Sequence, residues 1–207
     1  MKMTKTVLAI GLVVGAIIGV LVMPRAKPVQ SGGVSVPDVG ALPKLDGELD
    51  EPLWQAPVVR TGAFLDPAGG AARPYSDARI AWANGSLVVA LYAADEDIRT
   101  SGPAADVFHV TLGDTSFDVT PTGELRGAPA GTTIGHDADG TIDDPSNDDE
   151  EWVLELVVPL RSLGLEGKPG ERISFSAERC DTTHDGVRRC GATRKIELVL
   201  GPPWKRS

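Results

Sequence analysis

The sequence predicts an all-β protein, an antiparallel β-sandwich carried behind an N-terminal transmembrane helix. Three observations predict it. Apolar residues in the body of the chain recur with a period of 2, and no stretch there holds a strong 3.6 period. The alternating segments are short and broken by Gly, Pro and Asp, the punctuation of an antiparallel sandwich. The long uninterrupted apolar run, Val7 to Met23, stands at the start of the chain.

That run decides where the rest is expected to fold. As a helix it spans roughly 25 Å, slightly short of the ~30 Å hydrocarbon core. The length fits an anchor or the core of a signal peptide. The following Pro24-Arg25-Ala26-Lys27-Pro28 offers no convincing A-x-A pair for a signal peptidase, and no cysteine stands there for lipid attachment. An uncleaved anchor over residues 1–23 is therefore favoured. Lys2 and Lys5 put the N-terminus inside and the body outside. Gly11, Gly15 and Gly19 fall four apart and would form a smooth stripe suited to a dimer contact; chance spacing in a membrane segment is the plainer alternative. Residues 24–42 are rich in Pro, Gly, Ser and Val without period and read as a flexible linker. Residues 43–207 have the size of one domain with one core.

Charge narrows the partners. The chain carries 20 basic and 29 acidic residues, a formal net charge of −9. Four basic residues, Lys2, Lys5, Arg25 and Lys27, lie at the anchor, so the exported part holds 16 basic against 29 acidic residues, a net of −13. Such a surface repels phosphate backbones, which excludes nucleic acid as a partner. Neutral ligands and cations fit it.

The elements follow from local pattern. Helix is confined to single turns near Glu51 to Gln55 and Leu160 to Leu163. Ala78 to Ala83 alternates, with Ile80 and Trp82 on one face, and Asn84-Gly85 then leads into Leu87 to Ala94. Asn-Gly between two apolar runs signals a hairpin closed by a type I′ turn. Leu87 to Ala94 is apolar on both faces, as a central strand would be. Val107 to Leu112 and Ser116 to Thr120 form a second hairpin around Gly113-Asp114. Trp152 to Pro159 alternates, with Trp152, Leu154, Leu156 and Val158 facing one way. Ile173, Phe175 and Ala177, and later Ile196, Leu198 and Leu200, flank Cys180 and Cys190, with Asp185-Gly186 between the cysteines. This predicts a hairpin whose cysteines form a disulfide in an oxidising compartment.

These residues carry a resemblance. Lys44-Leu-Asp-Gly-Glu-Leu-Asp-Glu-Pro-Leu-Trp54 resembles the opening of family 9 carbohydrate-binding modules and their DOMON-like relatives. Ala78 to Asp97 is similar to their next block, a W-turn-LYVA strand pair ending in acidic residues. Gly140 to Pro159 resembles the late "W..E..IP" strand, and Leu163 through Arg179 resembles the final one. The resemblance implies an immunoglobulin-like or jelly-roll-like sandwich outside the cytoplasm that binds sugars.

Sugar binding needs flat aromatic platforms and polar groups for the hydroxyls. Aromatics make up only 5% of the chain. Trp54, Trp82 and Trp152 sit at framework positions among apolar neighbours, which argues for packing, while Tyr75, Phe64 and Trp204 lie in less regular stretches. Tyr75, Trp82, Glu155 and Arg179 form the candidate ligand set; Glu155 and Arg179 match positions that the family commonly fills with Glu and Arg. For a structural calcium, Asp137, Asp139 and Asp143 have part of the spacing of a calcium loop, and Asp95 and Asp97 end a central strand. A solvated acidic loop is the alternative. Catalysis finds little support: His109, His136 and His184 are isolated, and no G-x-S-x-G occurs.

The expected function is a membrane-anchored, non-catalytic module that binds a saccharide at the cell envelope, periplasmic or at the cell surface. The alternative is a structural or protein-interaction domain on the same scaffold with its sugar site lost.

Overall fold

The computed structural model describes residues 32–205. The expected anchor, its Gly11, Gly15, Gly19 stripe and residues 24–31 of the expected linker lie outside the described residues. Among the described residues no helix is long and apolar enough to cross a membrane.

The described chain is built from strands, with three single 3₁₀ turns. In order they are β1 (Val34–Asp38), β2 (Val59–Arg60), β3 (Ser76–Ala83), β4 (Ser86–Ala94), β5 (Val107–Leu112), β6 (Thr115–Val119), β7 (Leu125–Arg126), β8 (Thr133–Asp139), β9 (Glu151–Pro159), β10 (Arg172–Thr182), β11 (Arg188–Ala192) and β12 (Ile196–Pro203). The hydrogen-bonded path β7-β6-β5-β10-β12-β1-β3-β4-β9-β8 curls on itself, with β11 on β10 and β2 on β3 at the margins. One layer holds β3, β4, β9 and β8; the other holds β5, β6, β10 and β12.

The sequence patterns explain most of these elements. Asn84 and Gly85 take φ of +49° and +73°, the left-handed pair a type I′ turn needs. Gly113 at φ +60° opens the β5–β6 turn. Helical turns fall at Pro52–Gln55 and Leu160–Leu163, where the sequence places single turns. Cys180 and Cys190 stand directly opposite in the β10–β11 ladder and are bonded. The return strand expected after Cys190 is split in two, because Thr193 breaks the ladder: its N–H donates to the Ala177 carbonyl and its hydroxyl accepts from the Ala177 N–H.

Two expectations need correction. The expected linker 24–42 supplies β1, which pairs with β12 and touches β3. Val36 is fully buried between them, and Gly201 lets β12 approach, since a Cβ there would lie 2.7 Å from the Val36 carbonyl oxygen. A Val-x-Val pair is too short for periodicity to reveal. The sandwich is also not purely antiparallel, because both pairings of β1 are parallel.

The core lies between the layers. Ile80, Leu87, Val89, Leu91, Leu154 and Leu156 from one sheet meet Phe108, Phe117, Phe175 and Leu198 from the other. A second cluster covers the outer face of β3, β4 and β9, where Leu53, Trp54, Ala56 and Val58 pack on Ala81, Val88, Ala90 and Val157. The sheet is thus apolar on both faces in its lower half, which accounts for the two-sided pattern of Leu87 to Ala94.

Candidate functional site

The cover over the outer face is fastened by Glu155. Its row across the sheet is Arg79, Ala90, Glu155 and Gly135. Trp54 Nε1 donates to Glu155 Oε1 at 2.8 Å, and the Gly47 and Asp46 amides donate to Oε2 at 3.1 and 3.3 Å. Burial pushes the Glu155 carboxyl up, and these donors pull it part of the way back. Gly47 has φ +87°, and a Cβ there would meet the Asp137 amide nitrogen at 2.2 Å. A Cβ at Gly135 would meet the Leu45 carbonyl carbon, also at 2.2 Å. The Asp46-Gly47, Trp54 and Glu155 elements of the sequence are therefore parts of one structural clasp.

Arg179 belongs to a second internal network. The inward stripe of β10 runs Phe175, Ala177, Arg179, Asp181, and that of β4 runs Leu91, Ala93 and on to Asp95. Both stripes turn ionic at the same end of the sandwich. Arg179 Nη2 donates to Asp95 Oδ2 at 2.8 Å and Asp181 Oδ1 at 2.6 Å; Nη1 donates to the Ala94 carbonyl at 2.6 Å. Trp152 Nε1 also donates to Asp95 Oδ2, at 2.8 Å. Asp106, fully buried, accepts from the Arg99 and Thr182 amides at 2.7 and 3.1 Å. Burial first, and the neighbouring carboxylates second, push the Asp106 carboxyl up to about 8. Burial likewise raises Asp181, against the pull of Arg179.

Three of the four candidate ligand residues are thus framework. Trp82 is 4% exposed and donates its Nε1 to the Gly201 carbonyl at 3.1 Å. Glu155 and Arg179 are buried with internal partners. Phe64 is core as well, while Trp204 lies half-buried against the second cluster. Tyr75 alone of the ligand set stands open, at 42% exposure.

The calcium candidates are dispersed. Among the described residues, Asp137, Asp139 and Asp143 do not come together as a ligand group. Asp137 and Asp139 project from β8 onto the outer face, two residues apart on a strand. Asp143, at φ +60°, instead accepts from the Thr100 amide and hydroxyl at 2.9 and 2.7 Å and so ties two loops. Asp97 binds Arg99 and stands 3.6 Å from His184. The buried carboxylates that do converge are Asp95, Asp106 and Asp181, with oxygens within 4.8 Å of one another. Arg179 already supplies a positive centre to two of them.

The open surface is the upper half of the outer sheet face. Register places Asp77, Tyr92, Val153 and Asp137 in one row, and Ala94, Glu151 and Asp139 in the next. Tyr75 continues the Asp77 face by one alternation. Tyr75 and Tyr92 meet edge to face, with ring centroids 6.0 Å apart. Tyr75 donates its hydroxyl to Asp77 Oδ2 at 2.7 Å, and Tyr92 donates to Glu151. Burial, with Glu151 second, pushes the Tyr92 phenol up to about 12, so it remains a donor at neutral pH. The two rings can stack on an apolar face, and the carboxylate oxygens beside them can accept hydrogen bonds from hydroxyls. Sequence reasoning missed Tyr92 because its neighbours Ala90, Leu91, Ala93 and Ala94 disguise it as core.

No protein-family model matches the chain, and no curated protein matches it by sequence. Solved structures do. A family 9 carbohydrate-binding module from Caldicellulosiruptor kristjanssonii in complex with cellotriose is similar at a TM-score of 0.59 and 12% identity, covering 84% of this chain and 95% of that one. A structure of a family 9 module from the same organism with glucose gives 0.60 and 12%, covering 84% and 99%. A Bacteroides uniformis protein described as carbohydrate-binding gives 0.50 and 14%, covering 82% and 100%. The described domain has the fold of the family 9 modules.

Proposed function

We propose that this protein is a non-catalytic saccharide-binding module, held at the outer side of a membrane by its apolar N-terminal run. The observation that carries the reading is the Tyr75–Tyr92 face, on a fold whose solved examples hold cellotriose and glucose. The exposed Tyr75 ring offers a platform for the C–H face of a pyranose. Asp77, Glu151, Asp137 and Asp139 supply acceptors for its hydroxyls. The Cys180–Cys190 bridge supports folding in an oxidising compartment.

Calorimetric titration of the full-length protein in detergent with glucose, cellotriose and a panel of glycans tests this. Binding that Tyr75→Ala weakens supports it. No heat with any glycan would favour a protein-interaction role for the same scaffold.

A further inference from the structure

A second concave surface lies beside the sandwich end that holds Arg179. It is a groove of about 460 Å³ between the Asp66–Arg73 loop and the β11 hairpin, within the size range of small-ligand sites. Its basic groups are Arg73, Arg188 and Arg189; its remaining walls are Asp66, small apolar residues and Cys190. In a domain with so large an acidic excess, three guanidiniums on one groove are out of keeping with the rest of the surface.

The partners of these arginines are incomplete. Arg73 takes part in no ion pair among the described residues. Arg188 donates to the Ala105 carbonyl at 3.0 Å and the Thr182 hydroxyl at 3.2 Å, both neutral. Only Arg189 has a carboxylate, Asp185 at 2.8 Å. Asp66, the groove's one carboxylate, forms no ion pair with them: its Oδ1 accepts from the Ala68 and Gly70 amides, both at 2.9 Å, within its own turn. Arg73 and Arg188 thus line a concave, partly apolar space and have no carboxylate partner among the described residues. That geometry matches a planar carboxylate, which arginine binds in a bidentate manner. A long polyanion is disfavoured by the acidic surface around it, so the charge must sit on a short, otherwise neutral body.

We infer that this groove binds the carboxylate of a uronic-acid-containing saccharide, through Arg73 and Arg188. The inference rests on the saccharide-binding reading and deepens it by naming the class of sugar. The disulfide has a part in it. Cys190 lines the groove and, bonded to Cys180 on β10, holds the strand that carries Arg188 and Arg189.

The experiment compares one oligosaccharide in two forms, an aldobiouronic acid carrying a single glucuronic acid residue and its methyl ester, titrated into the full-length protein in detergent. The free acid is expected to bind about tenfold or more tightly than the ester, the difference one charge-assisted contact makes. Arg73→Ala with Arg188→Ala should abolish that difference and leave the ester unchanged. Arg73→Lys with Arg188→Lys keeps the charge but loses the fork, and should give an intermediate result. A melting curve confirms that each variant is folded. Equal affinity for acid and ester overturns the groove assignment while the saccharide reading stands. Inorganic phosphate or sulfate binding as tightly as the free acid also overturns it, because the groove would then read charge and not the sugar. Binding of neither form, with no glycan bound at all, removes both readings together.

Discussion

The outer face of the β3–β4–β9–β8 sheet is divided into two halves that share strands, alternation and register. The lower half carries Ala81, Val88, Ala90, Glu155 and Val157 beneath Trp54 and its neighbours. The upper half carries Asp77, Tyr92 and Glu151, all half-buried, and the exposed Asp137 around the buried Val153. What separates them is the reach of one segment: residues 45–58 pack over the row containing Glu155 and meet the next row at its β8 end, where Gly47 lies against the Asp137 backbone. Where it lies, the sheet face is small and apolar, and its single carboxylate is saturated by donors. Where it ends, the face turns aromatic and acidic. Stability is concentrated in the first half, and the proposed recognition falls to the second.

Trp54→Ala should break the covered half and have the largest effect. It removes a fully buried indole and strands the Glu155 oxygen that accepted from it, so a loss of about 3–5 kcal/mol is expected in denaturant unfolding. A loss below about 1 kcal/mol would show that the cover is dispensable. Glu155→Gln tests the clasp alone. It keeps the shape but weakens acceptance from the indole and the two amides, and should cost about 1–3 kcal/mol.

pH probes the buried carboxylates at the sandwich end. Asp106 is pushed up to about 8 from an ordinary 3.8, so the folded state holds its proton over a range where the unfolded chain has released it. Stability from this group is present below the unfolded value and is lost as pH rises through the folded one. The melting temperature should therefore fall between about pH 5 and about pH 8. Asp106→Asn should flatten that slope; an unchanged slope would relocate the proton. Glu155 and Asp181 shift in the same direction, so some slope should survive.

The smallest effect on stability belongs to the open half. Tyr75→Ala should stay within about 0.5 kcal/mol of the parent, because the ring is 42% exposed. The same change should weaken saccharide binding about two- to tenfold, on the scale of one aromatic contact of roughly 0.5–1.5 kcal/mol. Loss of stability without loss of binding would reverse the assignment of the two halves.

The sequence by itself determined what depends on neighbours along the chain. The turn at Asn84-Gly85, the alternation of Trp152 to Val158 and the spacing around Cys180 and Cys190 dictate their strands through backbone sterics and period-2 burial. They also place Glu155 opposite to Trp152's face and Arg179 on the face of Phe175. Only the tertiary structure decided what those side chains meet. Arg179 finds Asp95 84 positions away and Glu155 finds Trp54 101 positions away, and no local pattern encodes such a separation. For the same reason Tyr92 passed as core and β1 as linker: burial is set by what another part of the chain lays over a strand, and a strand's own residues record only that one of its faces must be covered.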